Sequence, residues 1–246
     1  MYNNDNNIQG FGNDAYCVIL THGNETIATL PDPDTFEESS FAGGHTGYLY
    51  GTSIPSQSSG TYKFGGRSWY FLVSGSSSYI NFGTSGNSDW DFSDTDYTID
   101  FWMYFNRPEE LTEISTYTTI CGIYYDTSNY NMLALDSDAT ITNLVYQIKE
   151  SDTSRLSLSY DISEYSGEFI HIAIVREANE YYMFVNGESA DKDTYGGTLV
   201  FINRPFMIGD MATNTVNITQ YFIDEFRLSK GIARWNRDFI VPNREY

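Results

Sequence analysis

Residues 221–235 read YFIDEFRLSKGIARW, and the period of two that marks a β-strand sorts the first eight onto two faces. Phe222, Phe226 and Leu228 fall on one side, Tyr221, Glu225 and Arg227 on the other. Asp224 lies between Phe222 and Phe226, on the side that reads as buried. An unpaired carboxylate among apolar side chains is too costly to leave alone. The alternation therefore predicts a partner for Asp224, and the N–H groups of a neighbouring loop are the ordinary donors.

Outward from this stretch, short strand signals recur from Ala15 onward, separated by clusters of Gly, Ser, Asn and Asp. The clearest is YTIDFWMYF, residues 97–105, with Ile99, Phe101, Met103 and Phe105 on one face. AYCVILT, RSWYFLV, SSYINF, TICGIYY, NLVYQIK, RLSLSY, FIHIAIVR, YYMFVNG and TLVFI repeat the pattern, and Asn186-Gly187 marks a tight hairpin. No segment carries a long helical period and no repeat of the propeller or solenoid kind is present. So many strands need two sheets, which makes the fold all-β: one antiparallel two-sheet sandwich over residues 14–246. Residues 1–13, with Asn3, Asn4, Asn6, Asn7 and Asn13, have little to bury and read as a flexible arm.

The chain has 246 residues, 33 Asp and Glu against 13 Lys and Arg, and a formal charge of −20. Such a surface repels nucleic acid and anionic membranes, which sets both aside as partners. The start lacks the basic and apolar regions of an export signal, and no stretch is apolar enough to insert into a bilayer. Cys17 and Cys121 each sit within a strand-like run and are expected as two buried free thiols.

The ordered blocks NDAYCVILTHG, FEESSFAGGH, KFGGRSWYFLVSGSSSYINFG, DYTIDFWMYF, GEFIHIAIVREANEYYMFVNGE, FMIGD and YFIDEFRLSKGIARW resemble the laminin-G-like, or concanavalin A-like lectin/glucanase, jelly roll. The resemblance covers roughly residues 14–242. The ending IDEFRLSKGIARW followed by FIVP is most similar to the version of this domain found in bacteriophage structural proteins. Related sandwich modules hold a structural calcium with an aspartate at a similar place. For Asp224 this sets a second reading, Ca2+ completed by Asp14 or loop carbonyls, beside the backbone donors. Pentraxins and laminin-type domains of this fold bind calcium and then ligands through rim loops. The similar places here are Asp126 and Asn129 in YYDTSNYN and Asp210 and Asn214 in MIGDMATN, although ordinary turn chemistry accounts for the same residue types. Tyr130 and Tyr195 offer rings for sugar stacking beside those loops.

Glycanases of this fold place two carboxylates at a fixed separation across the sugar bond. The nearest match is DWDFSD, with Asp89, Asp91 and Asp94. Its terminal residues are Asp where the family pattern has Glu, and the flanking SGNS and SDTD read as a loop, so it is expected to be an acidic turn and not a catalytic strand. His22, His45 and His171 have no matched Ser or Cys, and His171 alternates with Phe169, Ala173 and Val175 as a buried histidine. The expectation is a non-enzymatic bacteriophage virion surface protein, a head decoration or tail component. It would assemble in the host cytoplasm, contact other virion proteins and bind host-surface glycans. The alternative is a calcium-dependent lectin or glycanase of a cell.

Overall fold

The computed structural model describes residues 13–29, 33–72, 77–106, 116–137, 141–210 and 220–246. These form two antiparallel sheets packed face to face, as the strand alternation predicts. One sheet runs β14 (Glu188–Thr194), β13 (Glu180–Val185), β12 (Phe169–Glu177), β7 (Tyr97–Phe105), β16 (Gln220–Lys230), β5 (Ser68–Leu72) and β4 (Ser56–Ser58), with β1 (Cys17–Thr21) on the second half of β16. The other runs β11 (Thr153–Asp161), β10 (Thr142–Glu150), β9 (Asn129–Ser137), β8 (Thr116–Asp126), β15 (Met207–Asp210), β6 (Ser78–Asn81), β3 (Thr46–Gly51) and β2 (Thr35–Glu37). Asn186 and Gly187 turn the β13–β14 hairpin with φ of 51° and 80°, the left-handed pair such a two-residue loop requires. Residues 1–12 of the predicted arm lie outside the described residues, while Asn13 is tied to the loop at Ser39 and Phe41 by its side-chain amide.

The core lies between the sheets. Phe101, Met103, Phe105 and Ile223 from the first sheet meet Leu133, Leu144, Ile148, Leu158 and Ile208 from the second, all buried. Tyr97 and Tyr146 share a hydroxyl–hydroxyl hydrogen bond across it, which satisfies both polar tips without water. Cys17 and Cys121 are free and buried, as expected, and burial pushes the Cys17 thiol up to about 12.

β16 departs from simple alternation. Asp224 pairs with Trp102 and Arg227 with Asp100, so Glu225 and Phe226 together stand opposite Phe101. This β-bulge puts Glu225 at a φ of 52° and reverses the phase of the strand. Tyr221 and Ile223 before it, and Phe226 and Leu228 after it, therefore all face the core. Phe222, Asp224 and Arg227 face outward. The expected grouping of Asp224 with Phe226 and Leu228 is thus corrected: Asp224 is buried, but on the sheet's outer side.

That outer side is covered in its turn. Trp235 and Phe239 of the segment after β16 stack at 3.9 Å, and His171 meets both edge-on. Beneath them Arg227 donates to both oxygens of Asp100 at 2.9 and 3.0 Å, and the Tyr246 hydroxyl joins the same carboxylate. Burial alone would raise Asp100, yet the adjacent guanidinium holds it at about 2. His171, with 0% exposure, is a buried histidine as its alternation predicts, and burial lowers its pKa despite Asp100. The covered layer fixes the segment 231–246 to the sandwich.

Candidate functional site

Asp224 has 0% exposure, and its Oδ2 accepts the N–H of Lys63 at 2.6 Å and of Phe64 at 3.0 Å. The backbone reading is therefore the one realised in the geometry, and the loop around residues 61–66 is pinned to β16 by it. Oδ1 has no hydrogen-bond partner among the described residues. Burial, helped by the charge of Glu225, raises this carboxyl to about 7. Glu225 is engaged on both oxygens, by His22 Nδ1 at 2.7 Å and the N–H of Tyr246 at 2.8 Å. Asp14 does not turn toward Asp224. It makes a two-pronged pair with Arg234 at 2.9 and 3.0 Å and accepts the N–H of Tyr16. A carboxylate already gripped by a guanidinium is a poor start for a calcium shell. Among the described residues no three acidic, His or Cys side chains converge as a metal set.

The two rim loops named for calcium stand at opposite ends of their sheet. Met207 pairs with Gly122 and Ile208 with Cys121, so Asp210 reaches the level of Thr119. Asp126 is seven residues further along β8, roughly 20 Å away at about 3.3 Å per residue. A shared ion is ruled out by that register. Asp126 Oδ1 accepts the N–H of Ser128 and the Asn129 amide, and Asn129 Oδ1 accepts the N–H of Ser151. This is turn chemistry that closes the β8–β9 hairpin. Tyr130 stacks with Tyr124 on the outer side of the sheet and donates to Gln147. Asp210 is buried at the end of β15, Tyr195 packs against the core, and Asn214 lies outside the described residues.

DWDFSD is a turn, as its flanks predict. Asn87 caps a short 3-10 turn over Ser88–Trp90, Asp89 lies 3.1 Å from His45 Nε2, and Asp91 accepts both the N–H and the hydroxyl of Ser93. Its apolar members do what the sequence alone did not show. Trp90 and Phe92 turn inward and, with Ile123, Asn131, Ile148, Glu150 and residues 199–202, line a shallow cleft that encloses about 20 Å3, room for about one water molecule. The cleft enters between the sheets at the end where the β8–β9 hairpin closes. Trp90 is 1% exposed and its indole N–H has no partner among the described residues. Glu150 is spoken for: one oxygen accepts the N–H of Val200, the other faces Arg155 Nε at 3.1 Å. At the same end Arg204 lies over the exposed ring of Tyr125, 4.5 Å from its centre. The sequence signal available for this site was the Trp and Phe inside an otherwise acidic loop, which polar turns seldom need.

Over residues 74–233 the chain matches the family described as the concanavalin A-like lectin/glucanases superfamily, in its Laminin_G_3 form. That span is well over half of the sequence. The chain belongs to this superfamily. No curated protein matches it in sequence. Solved structures similar to it include the botulinum neurotoxin serotype D binding domain, at 14% identity and a TM-score of 0.61, covering 89% of this chain and 50% of that one. The binding domain of Paraclostridial Mosquitocidal Protein 1 follows at 15% and 0.61, covering 91% and 49%. The binding domain of botulinum neurotoxin DC in complex with SialylT is similar at 13% and 0.58, covering 87% and 48%. At these identities the likeness is one of fold, and the superfamily domain spans about half the length of those chains.

Proposed function

We propose that this superfamily member is a non-enzymatic, carbohydrate-binding domain displayed on the surface of a bacteriophage particle. The observation that carries the binding half is the match over residues 74–233 to a superfamily described by its lectins and glucanases. Among the carboxylates described, Glu150 accepts from the Val200 N–H and Arg155, Asp91 from Ser93, and Asp126 from Ser128 and Asn129. That arrangement serves shape and not proton transfer, because a glycanase needs one carboxylate as acid and a second as base or nucleophile. The toxin domains of similar fold are named as binding domains, one of them in complex with SialylT, which supports the same direction.

The particle half rests on the resemblance of residues 223–235 and 239–242 to phage structural proteins. A virion protein folds and assembles in the host cytoplasm and reaches the outside by lysis. Cryo-electron microscopy of particles that carry this chain tests it: density for the sandwich on the outside of head or tail is expected, and its absence from the particle would refute the assignment.

A further inference from the structure

The outer side of the second sheet carries an uncharged strip. Register places Tyr48 beside Asn81 and Asn81 beside Met207, and the same row continues through Gly122, Met132, Gln147 and Ser157 on β8, β9, β10 and β11. These positions point away from the core, because their neighbours along each strand, such as Leu49, Ile80, Ile208 and Leu133, are the ones that fill it. The adjoining row is uncharged as well, with Tyr50, Tyr79 and Gly209 on one half and Ala134, Val145 and Ser159 on the other. Charge returns at the borders. Asp136 and Asp161 lie one row beyond Val145, and Lys149 stands beside Tyr130 with its ammonium held by Asp152 and the Thr127 carbonyl.

Ala134 and Val145 are 1% and 5% exposed, while Tyr48, Tyr50, Tyr79, Tyr124 and Tyr130 stay half-buried and Ser157 and Ser159 are exposed. The strip therefore offers ring faces and hydroxyl groups rather than aliphatic side chains. Two ring pairs stack, Tyr50 with Tyr79 at 5.6 Å and Tyr124 with Tyr130 at 6.5 Å.

Size decides between occupants. Seven strands at about 4.8 Å spacing make the strip about 29 Å long, and its two rows with the Tyr124–Tyr130 pair make it about 13 Å wide. That is about 380 Å2, half of the roughly 800 Å2 per partner that a stable protein interface buries. A second copy would also bring another formal charge of −20 against the first. A narrow neutral ligand with flat apolar faces and hydroxyl edges meets neither obstacle. We infer that a linear, uncharged glycan lies along this strip, across the strands, with sugar faces on the rings of Tyr50, Tyr79, Tyr124 and Tyr130 and sugar hydroxyls toward Ser157 and Ser159. This inference rests on the carbohydrate-binding reading and adds to it a site and an extended, neutral ligand class.

The experiment passes the whole chain over immobilised dextran, mannan and galactan, with hyaluronan as an anionic comparison. Retention on at least one neutral polymer is expected, and a hexasaccharide of the same sugar should compete better than its methyl glycoside, because one sugar covers part of the strip. Tyr79→Ala and Tyr124→Ala should each weaken retention about tenfold, the loss of one ring. Tyr79→Phe and Tyr124→Phe keep the rings and should cost much less. Ser157→Glu alters an exposed side chain, places a charge in the row and should weaken retention as well. Melting curves establish that the variants are folded, and Ile240→Ser, at a 72% exposed side chain of the segment over the other sheet, should bind as the unmodified chain does. Neutral-polymer retention unchanged in Tyr79→Ala, Tyr124→Ala and Ser157→Glu would overturn the strip while leaving glycan binding in place. Equal competition by hexasaccharide and methyl glycoside would overturn the extended ligand, and retention on hyaluronan alone the neutral one. A dimer in sedimentation that Tyr79→Ala dissolves would make the strip an interface between copies and overturn the inference too. No retention on any polymer would take down the carbohydrate-binding reading together with this one.

Discussion

Replacing Asp224 by Asn should remove a specific part of the protein's dependence on pH. In the fold this carboxyl has no exposure, takes two N–H donors on Oδ2 and has none on Oδ1, and its pKa rises from the ordinary 3.8 to about 7. A folded pKa above the unfolded one means that the native state holds the proton more tightly. Stability from this group is therefore full below about pH 4 and is lost as pH rises through about 7. The interval of about three pH units corresponds to about 4 kcal/mol. Asn copies the neutral form: its oxygen can accept from Lys63 and Phe64, and no charge develops. Denaturant titrations of both proteins between about pH 3.5 and 9 should show curves that meet in acid, diverge steadily from about pH 4 to about pH 7 and keep a constant gap above that, with Asp224→Asn the more stable by a few kcal/mol at pH 9. Taking the difference cancels the contributions of His22, raised by Glu225, and His171, lowered by burial. Asp224→Ala strands both N–H groups and should lose about 3 kcal/mol at pH 5, with a smaller deficit at pH 9. Parallel curves for unmodified protein and Asn variant would refute the reasoning, because they would mean that Asp224 is solvated and ionises normally.

Glu225→Ala should be costly as well, by about 2 kcal/mol or more, since it frees both His22 and the Tyr246 N–H; Glu225→Gly should do better than Ala because the φ of 52° suits glycine. Arg227→Ala leaves the buried Asp100 without its cation and should cost about 3–5 kcal/mol, read by the same titration. The triple change of Asp89, Asp91 and Asp94 to Asn should leave a folded protein, and neither form should release reducing ends from β-glucan; turnover lost in the triple variant would establish an enzyme. Removal of residues 1–12 should leave the melting temperature unchanged and lower occupancy on particles, and equal occupancy would refute an anchoring arm.

The sequence carried most of the fold, because alternation and turn residues are local. YTIDFWMYF became β7 and Asn186-Gly187 became the β13–β14 hairpin turn with no tertiary help. The partner of Asp224 was legible in kind, since a buried carboxylate must find donors. Its face was not. The bulge adds one residue at Glu225 in a left-handed conformation that a glycine usually advertises, and with no glycine there the period of two ran on uncorrected through Phe226 and Leu228. The rim loops failed for another reason: Asp126 and Asp210 look equivalent as loop carboxylates, and only the pairing of Met207 with Gly122 places them at opposite ends of β8. The cleft was hidden because its walls come from residues 90–93, 123–150 and 199–202, which no local pattern joins.

The most direct test of non-enzymatic glycan binding is to capture a neutral oligosaccharide on the intact chain, elute it after prolonged incubation and weigh it by mass spectrometry. The account predicts that the sugar is captured and returns with its mass unchanged. A shortened product, or no capture from any oligosaccharide offered, neutral or charged, would contradict it.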